Sequence, residues 1–88
     1  MSTSRRSNTQ NEGQYHALIV ERKGTYEIRA FDDAVDLLRD AQKSISQGYS
    51  PLTAFEDVSW KAIRDLEIAV QQANNGFEVD FKTVLSTK

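Results

Sequence analysis

Cysteine is absent from this chain of 88 residues. Structural disulfides, thiolate zinc sites and cysteine nucleophiles are therefore excluded, and a reducing cytoplasm is the expected location. No uninterrupted apolar run is longer than residues 17–20, which is far short of the roughly 20 residues that a transmembrane helix needs. The N-terminus also lacks the apolar core of a signal peptide, so we expect no membrane partner.

Motifs that carry chemistry are also missing. The four glycines are spread one per loop or tail and form no phosphate-binding loop. His16 is the only histidine, and because no orienting partner is indicated, we expect a strand residue rather than a catalyst or ligand. Four aspartates gather near the start of the first predicted helix: Asp32, Asp33, Asp36 and Asp40. Capping explains them more simply than cation binding does, so we expect no catalytic residue, metal or cofactor.

The length of the chain allows one small domain. With 10.0 kDa, the chain buries only about 60% of the surface that its unfolded state exposes, and added stability from a partner or from self-association is expected. Residues 1–14 contain no large apolar side chain after Met1 and are predicted to be a disordered tail. Residues 15–88 are predicted to form a single compact α+β domain.

One glycine organises the first half of this domain. Gly24 separates two apolar-rich segments, residues 15–21 and 25–31, and predicts a β-hairpin that leads directly into a helix. Two strands alone are marginal and have unpaired edges, so we expect a third strand or a partner chain beside them. Residues 77–79 are predicted to be a short strand, followed by a helical turn that Asp80 would cap.

Two registers of the hairpin compete. A two-residue turn at residues 23–24 would pair apolar with charged side chains across the strands. A three-residue loop at residues 22–24, closed by a left-handed glycine, instead gives a coherent inner face. That face contains Leu18, Val20, Tyr26 and Ile28. We therefore predict the three-residue loop, which leaves Ile19 and Phe31 on an outer face that needs cover.

Two helices follow the hairpin. The first is predicted at residues 33–47, with Asp32 or Asp33 as its N-cap and Gly48 as its C-cap. Its apolar stripe contains Ala34, Val35, Leu37, Leu38, Ala41 and Ile45. The second is predicted from residue 51 to residue 74. The predicted fold class is thus a small ββαα domain with a short C-terminal strand or helical turn.

The core stripe predicted for the second helix consists of Phe55, Val58, Ala62, Ile63, Leu66, Ala69, Val70 and Ala73. Two apolar residues of this helix fall outside the stripe. At about 100° per residue, Trp60 lies near the far edge of the helix and Ile68 lies almost opposite the stripe. Arg64, one turn after the tryptophan, is placed to lie against the indole ring. Exposed tryptophan is typical of interface hot spots, so this surface is predicted to bind a partner. The alternative is a break near Ser59 that rotates Trp60 into the core.

A second interpretation uses positive charge. Five basic residues lie at the hairpin tip, on its outer face or in the tail: Arg22, Lys23, Arg29, Arg5 and Arg6. These residues would contact nucleic acid. The net charge of −2 argues against a large phosphate-binding surface, so this remains the alternative to a protein partner.

The hairpin sequence carries one family resemblance. Residues 15–21, followed by residues 24–26, resemble the opening of the HicB-type antitoxins. That family continues into a turn and a third strand before its helix, whereas Phe31 here passes straight to Asp32. The resemblance covers only this segment and is not membership of the family. An antitoxin-like repressor is therefore the form that the nucleic-acid alternative takes.

The sequence as a whole predicts a small non-enzymatic protein-interaction or regulatory module that binds a protein partner or a second copy of itself. The residues predicted to bind the partner are Trp60, Arg64, Ile68, Ile19 and Phe31.

Overall fold

The computed structural model describes residues 14–85. In chain order the elements are β1 (Tyr15–Arg22), β2 (Thr25–Phe31), α1 (Ala34–Ser46), β3 (Ser50–Val58), α2 (Trp60–Asn74) and α3 (Phe81–Val84). The strands form one antiparallel sheet in the order β2-β1-β3. The α+β class is confirmed for the described residues, but their order is ββαβαα rather than ββαα. The predicted tail, including Arg5 and Arg6, lies outside the described residues except for Gln14.

The central strand β1 is buried on both of its faces. Ala17 and Ile19 pack on one side against α2 and α3, and Leu18 and Val20 pack on the other side against α1. The domain therefore has three layers, with α1 above the sheet and the other two helices below it. A strand covered on both faces is expected to be continuously apolar rather than alternating, which explains the run of four buried residues.

The hairpin turn contains two residues, so the predicted three-residue loop is wrong. Arg22 pairs with Thr25 across the turn, and Lys23 and Gly24 both have positive φ, at 53° and 83°. These are the features of a type I′ turn, whose twist matches that of the strands.

The register was mispredicted because a single buried face was assumed. The four residues of the predicted inner face divide between the two sides of the sheet. Leu18 and Val20 face α1, while Tyr26 and Ile28 face α2 and α3. Because helices cover both sides of the sheet, apolar side chains can face either side. The hairpin register therefore does not have to place all of them on one face.

Strand β3 occupies the segment that was predicted to begin the second helix. Thr53 and Phe55 pair with residues on the α2 side of β1, while Ala54 pairs on the α1 side, as the period of a strand requires. Asp57 has φ 56°, and Ser59 then caps α2. The spacing of the apolar residues in this segment also fits a helix, which explains the wrong prediction.

The predicted third strand at residues 77–79 is also corrected. These residues have no regular secondary structure, because β3 already supplies the third strand of the sheet. The helical turn that was predicted after them is present as α3. Asp80 caps it by accepting a hydrogen bond from the Lys82 N–H at 3.2 Å.

The ends of α1 agree with the prediction. The Asp33 side chain accepts a hydrogen bond from the Val35 N–H at 2.8 Å. At the other end, Gly48 has φ 93°, and the Tyr49 N–H donates to the Ser44 carbonyl at 2.9 Å. This is a Schellman motif, in which the left-handed residue is most often glycine. None of the helices within residues 14–85 has the length and apolar character needed to cross a membrane.

The type I′ turn gives the first testable expectation. Asparagine tolerates the left-handed region better than lysine does, so Lys23→Asn should raise the free energy of unfolding by roughly 0.5 kcal/mol or more. Gly24→Ala should lower it by about 1 kcal/mol or more. Urea unfolding followed by circular dichroism measures both changes. In a three-residue loop residue 23 would be right-handed, so the absence of any gain from Lys23→Asn would contradict the observed register.

Candidate interaction surface

Large apolar side chains that remain exposed indicate where the domain can meet a partner. Among residues 14–85 they are Val35, Leu38, Ile45, Leu52, Trp60, Ile68 and Phe77. Three of these residues share one helix, α1, and two share α2. The two helices therefore offer two separate surfaces.

The first surface lies on α1. Val35, Leu38 and Ile45 are 51%, 62% and 61% exposed, and we call these three residues the α1 apolar face. The sequence placed them in the same stripe as Leu37 and Ala41, of which Leu37 is buried and Ala41 is half-buried. Half of the predicted stripe therefore points away from the core.

A polar cluster determines how α1 is rotated on the sheet. Arg29 of β2 donates hydrogen bonds to the Asp40 carboxylate at 2.7 Å and to the Ser44 hydroxyl at 2.5 Å. The side chains of Arg29 and Asp40 are only 24% and 26% exposed, and Ser44 is buried. We call these three residues the polar clamp. They hold one polar side of α1 against the sheet.

The clamp explains why the α1 apolar face is exposed. At 100° per residue, Leu38 and Ile45 lie about 130° around the helix from Asp40 and Ser44. Because the clamp holds the opposite side of α1 against β2, these two aliphatic side chains lie on the side of the helix away from the clamp and remain exposed.

The α1 side of β3 is itself incompletely covered. Ala54 pairs with Leu18 and therefore lies on this side of the sheet, yet it is exposed. Leu52 of the same strand is exposed too. Strand β3 therefore keeps two apolar side chains, Leu52 and Ala54, at the surface.

The clamp belongs to a larger charged cluster. Glu27 forms a second ion pair with Arg29 at 3.0 Å, and the Tyr49 ring lies 4.5 Å from the Arg22 guanidinium and 4.8 Å from that of Arg29. The hydrogen bond to Asp40 is the main cause that raises the pKa of Arg29 above its ordinary value, against the opposing effect of partial burial. Arg29 therefore stays charged up to strong alkali.

The second surface is the α2 stripe, which consists of Trp60, Arg64 and Ile68. Trp60 and Ile68 are 42% and 54% exposed, and the indole ring packs against the Tyr15 ring at 5.4 Å between centroids. Arg64 forms an ion pair with Glu67 at 3.8 Å instead of lying over the indole ring. A break at Ser59, the alternative to an unbroken helix, is present as the N-cap of α2, but it does not rotate Trp60 into the core.

The other two residues predicted to bind a partner are covered by the chain itself. Ile19 is fully buried in the core on the α2 side, so it is unavailable to a partner in the folded domain. Phe31 is half-buried against the cluster that contains Leu18 and Val20. The two residues thus lie on opposite sides of the sheet, where α2 covers Ile19 and the α1 side covers Phe31.

The two sheet edges are partly protected against strand addition. On β2, the Asn74 side chain accepts from the Tyr26 N–H at 2.7 Å and donates to the Tyr26 carbonyl at 3.0 Å. On β3, Pro51 removes one donor, and two register shifts together with the positive φ of Asp57 interrupt the strand. Irregular and capped edges of this kind disfavour pairing with another chain.

The basic residues of the alternative function are mostly engaged. Arg22 donates to the Gln47 carbonyl at 3.2 Å, and Arg29 is held by two carboxylates. Lys23 is exposed at the tip, where a shallow cleft is lined by residues of both charges, including Glu27. The tip therefore offers only a small positive area.

Three of the residues that the sequence offered for catalysis or metal binding form contacts within the domain. The His16 ring nitrogen Nδ1 accepts a hydrogen bond from the Asp57 N–H at 3.4 Å. Of the four aspartates, Asp33 caps α1 and Asp40 belongs to the clamp. Within residues 14–85 no group of three or more His, Cys, Asp or Glu side chains is arranged to hold a metal ion.

No protein-family model, curated protein or solved structure matches this chain.

The polar clamp gives the second testable expectation. Asp40→Asn removes the charge that pairs with the partly buried Arg29, so it should lower the free energy of unfolding by about 1–3 kcal/mol. Asp65→Asn is the matched control, because it removes the carboxylate of the exposed Lys61–Asp65 pair and should change stability by less than about 0.5 kcal/mol. Equal effects of the two substitutions in urea unfolding would show that the clamp does not fix α1.

Proposed function

We propose that this chain is a non-enzymatic protein-interaction or regulatory module that docks a protein through the α1 apolar face. The observation that carries this proposal is the exposure of Val35, Leu38 and Ile45 on a helix whose polar side is bonded to the sheet. An apolar surface that the fold holds outward is typical of a binding site.

The energetic cost of this arrangement supports the proposal. Burying one aliphatic side chain of this size stabilises a protein by roughly 1.5–3 kcal/mol, and two of the three, Leu38 and Ile45, lie on the same side of α1. A helix rotated to bury them would gain this stabilisation but would separate Asp40 from Arg29. Local rules of folding are broken most often at functional sites, and a bound partner would cover the exposed side chains without disturbing the clamp.

The α2 stripe is the competing docking surface. Its aromatic anchor is already half-covered by Tyr15, and Arg64 and Glu67 place charges beside it. Interface centres are depleted in glutamate, so Glu67 makes this surface the weaker candidate. The two helices lie on opposite faces of the sheet. The α1 apolar face and the α2 stripe are therefore separate docking surfaces, and a partner can bind one without contacting the other.

Site-specific photo-crosslinking tests the docking surface. Leu38 is replaced by a benzophenone amino acid, and the labelled protein is irradiated in an extract of its source cells. We expect a protein adduct that is lost when Ile45→Glu is added to the same chain, because the charge disrupts the apolar face. The matched control carries the benzophenone at Gln72, which is exposed on α2, and should give no adduct.

The outcomes of this experiment separate the candidate surfaces. Equal labelling from positions 38 and 72, or none from either, would contradict docking through α1. A third variant carries the benzophenone at Ile68, and labelling from that position alone would move the docking surface to the α2 stripe.

The nucleic-acid alternative makes a different prediction. A repressor that used the hairpin tip would bind DNA or RNA with an affinity that falls steeply with salt, and Arg22→Ala with Lys23→Ala would reduce both the affinity and the salt slope. Because Arg29 is already neutralised by two carboxylates, we expect no such binding in fluorescence anisotropy. A steep salt slope that the double substitution abolishes would favour the alternative.

A further inference from the structure

We propose that Asn75 is a site of spontaneous covalent modification, at which the side-chain amide is lost as ammonia, isoaspartate enters the backbone and the edge of β2 loses its Asn74 cap. The inference is independent of docking through α1, because Asn75 ends α2 on the other side of the sheet. Three features support it: the next residue is glycine, the position is exposed, and the adjacent Asn74 side chain holds the edge of β2.

The chemistry joins the backbone nitrogen of Gly76 to the side-chain carbonyl carbon of Asn75. A bond forms between the Gly76 nitrogen and Asn75 Cγ, and the Cγ–Nδ2 bond breaks. The former amide nitrogen leaves as ammonia with the proton that the Gly76 nitrogen gives up. Water then opens the succinimide ring. Opening at Cγ gives aspartate, whereas opening at the backbone carbonyl carbon gives isoaspartate, whose chain runs through Cγ. No oxidant or reductant is needed.

The glycine after Asn75 favours this attack. Asparagine is among the thermally labile residues, and a side chain on the following residue crowds the attacking nitrogen. Gly76 has no Cβ and therefore leaves the approach open. The other asparagines are followed by larger residues: Asn8 by Thr9, Asn11 by Glu12, and Asn74 by Asn75. Asn75 is therefore expected to react before the others.

The C-cap of α2 controls the rate of the reaction in the folded domain. The Gly76 N–H donates to the Ala73 carbonyl at 3.1 Å, and the Phe77 N–H donates to the Gln72 carbonyl at 3.0 Å. The attack requires the Gly76 nitrogen to leave this bond, so the reactive state is one in which the last turn of α2 has opened. Local opening of a helix end costs much less free energy than global unfolding, and Asn75 is exposed. The reaction therefore needs no unfolding of the domain.

Isoaspartate at position 75 disrupts the end of α2 in two ways. It inserts the Cβ atom of residue 75 into the backbone, so the N–H groups of Gly76 and Phe77 lose the spacing that their cap bonds require. It also places a carboxylate at the C-terminus of the helix, where negative charge is unfavourable. The last turn of α2 contains no basic residue that would offset this charge.

Asn74 transmits the change to the sheet. Its side-chain amide accepts from the Tyr26 N–H at 2.7 Å and donates to the Tyr26 carbonyl at 3.0 Å, as the peptide group of a neighbouring strand would. Asn74 is the last residue of α2, so it keeps this position only while the last turn is formed. Loss of the turn leaves the outer edge of β2 uncapped at Tyr26. An uncapped edge is a template for pairing with another strand.

Ageing of the purified full chain at mildly alkaline pH tests the modification site, because the attacking nitrogen must lose its proton. Trypsin releases the peptide of residues 65–82, in which tandem mass spectrometry should locate the first deamidation at Asn75, with isoaspartate as a product. Asn8 and Asn11 of the same molecules are internal controls. Deamidation of either one before Asn75 would overturn the assignment.

Gly76→Ala is the matched variant for the role of the glycine. A Cβ at this position would meet no atom within 4 Å, so the substitution adds bulk beside the attacking nitrogen without a clash elsewhere. It should slow deamidation of Asn75 by at least about tenfold, with circular dichroism showing that the domain is folded. An unchanged rate in the folded variant would show that succinimide formation at Gly76 is not the route.

Hydrogen exchange followed by NMR tests the release of β2. In the isolated isoaspartate form the Tyr26 N–H should exchange at least about tenfold faster than in the fresh protein, approaching the rate in Asn74→Ala, which lacks the cap. Asn75→Asp is the matched control, because it carries the same charge on an ordinary backbone, and it should exchange more slowly than the isoaspartate form. Unchanged exchange at Tyr26 in the isoaspartate form would show that Asn74 stays in place and would overturn the release.

Discussion

The hydrogen-bonded ion pair between Arg29 and Asp40 is the interaction on which the exposed surface of this domain depends. An arginine whose side chain is only 24% exposed needs an anionic partner, because desolvating an unpaired charge costs more than aliphatic burial of similar area returns. Glu27 supplies one carboxylate from the same strand, and α1 supplies the other. The rotation of α1 is thus set by electrostatics, and the position of Leu38 and Ile45 follows from it.

Burial of β1 on both faces explains both the three-layer fold and the error in predicting its hairpin. The run at residues 17–20 was correctly predicted as strand. The two ends of α1 were located, with Asp33 as one of two N-cap candidates and Gly48 as the left-handed residue after Gln47, because capping depends on neighbouring residues alone. Gly24 is compatible with either turn. Choosing between them required knowing whether one or both sides of the sheet are covered, which depends on α1 and α2 packing on opposite sides.

The segment at residues 50–58 shows a second limit of local pattern. Its apolar residues fit a helix as well as a strand. The segment is a strand because it pairs with β1, as Phe55 does with Ala17, and this pairing cannot be read from the local sequence. The exposure of Trp60 and Ile68 was found from helical geometry, because the α2 assignment beyond Ser59 is correct. The α1 apolar face could not be found in this way, since it depends on a contact between two elements.

In the monomer, α1 cannot keep Asp40 and Ser44 bonded to Arg29 and also bury Leu38 and Ile45. Turning the helix to bury Leu38 and Ile45 would take Asp40 and Ser44 away from Arg29, which would then be left in a largely buried site with one carboxylate. In the observed orientation, Leu38, Ile45 and part of Val35 stay exposed, so the domain lacks the stabilisation that their burial would give. A partner that packs on the outside of α1 removes this conflict, because it buries the aliphatic side chains while the clamp stays closed. Association therefore keeps the Arg29–Asp40 ion pair and also buries the aliphatic side chains. This is the physical reason to look for function at this surface.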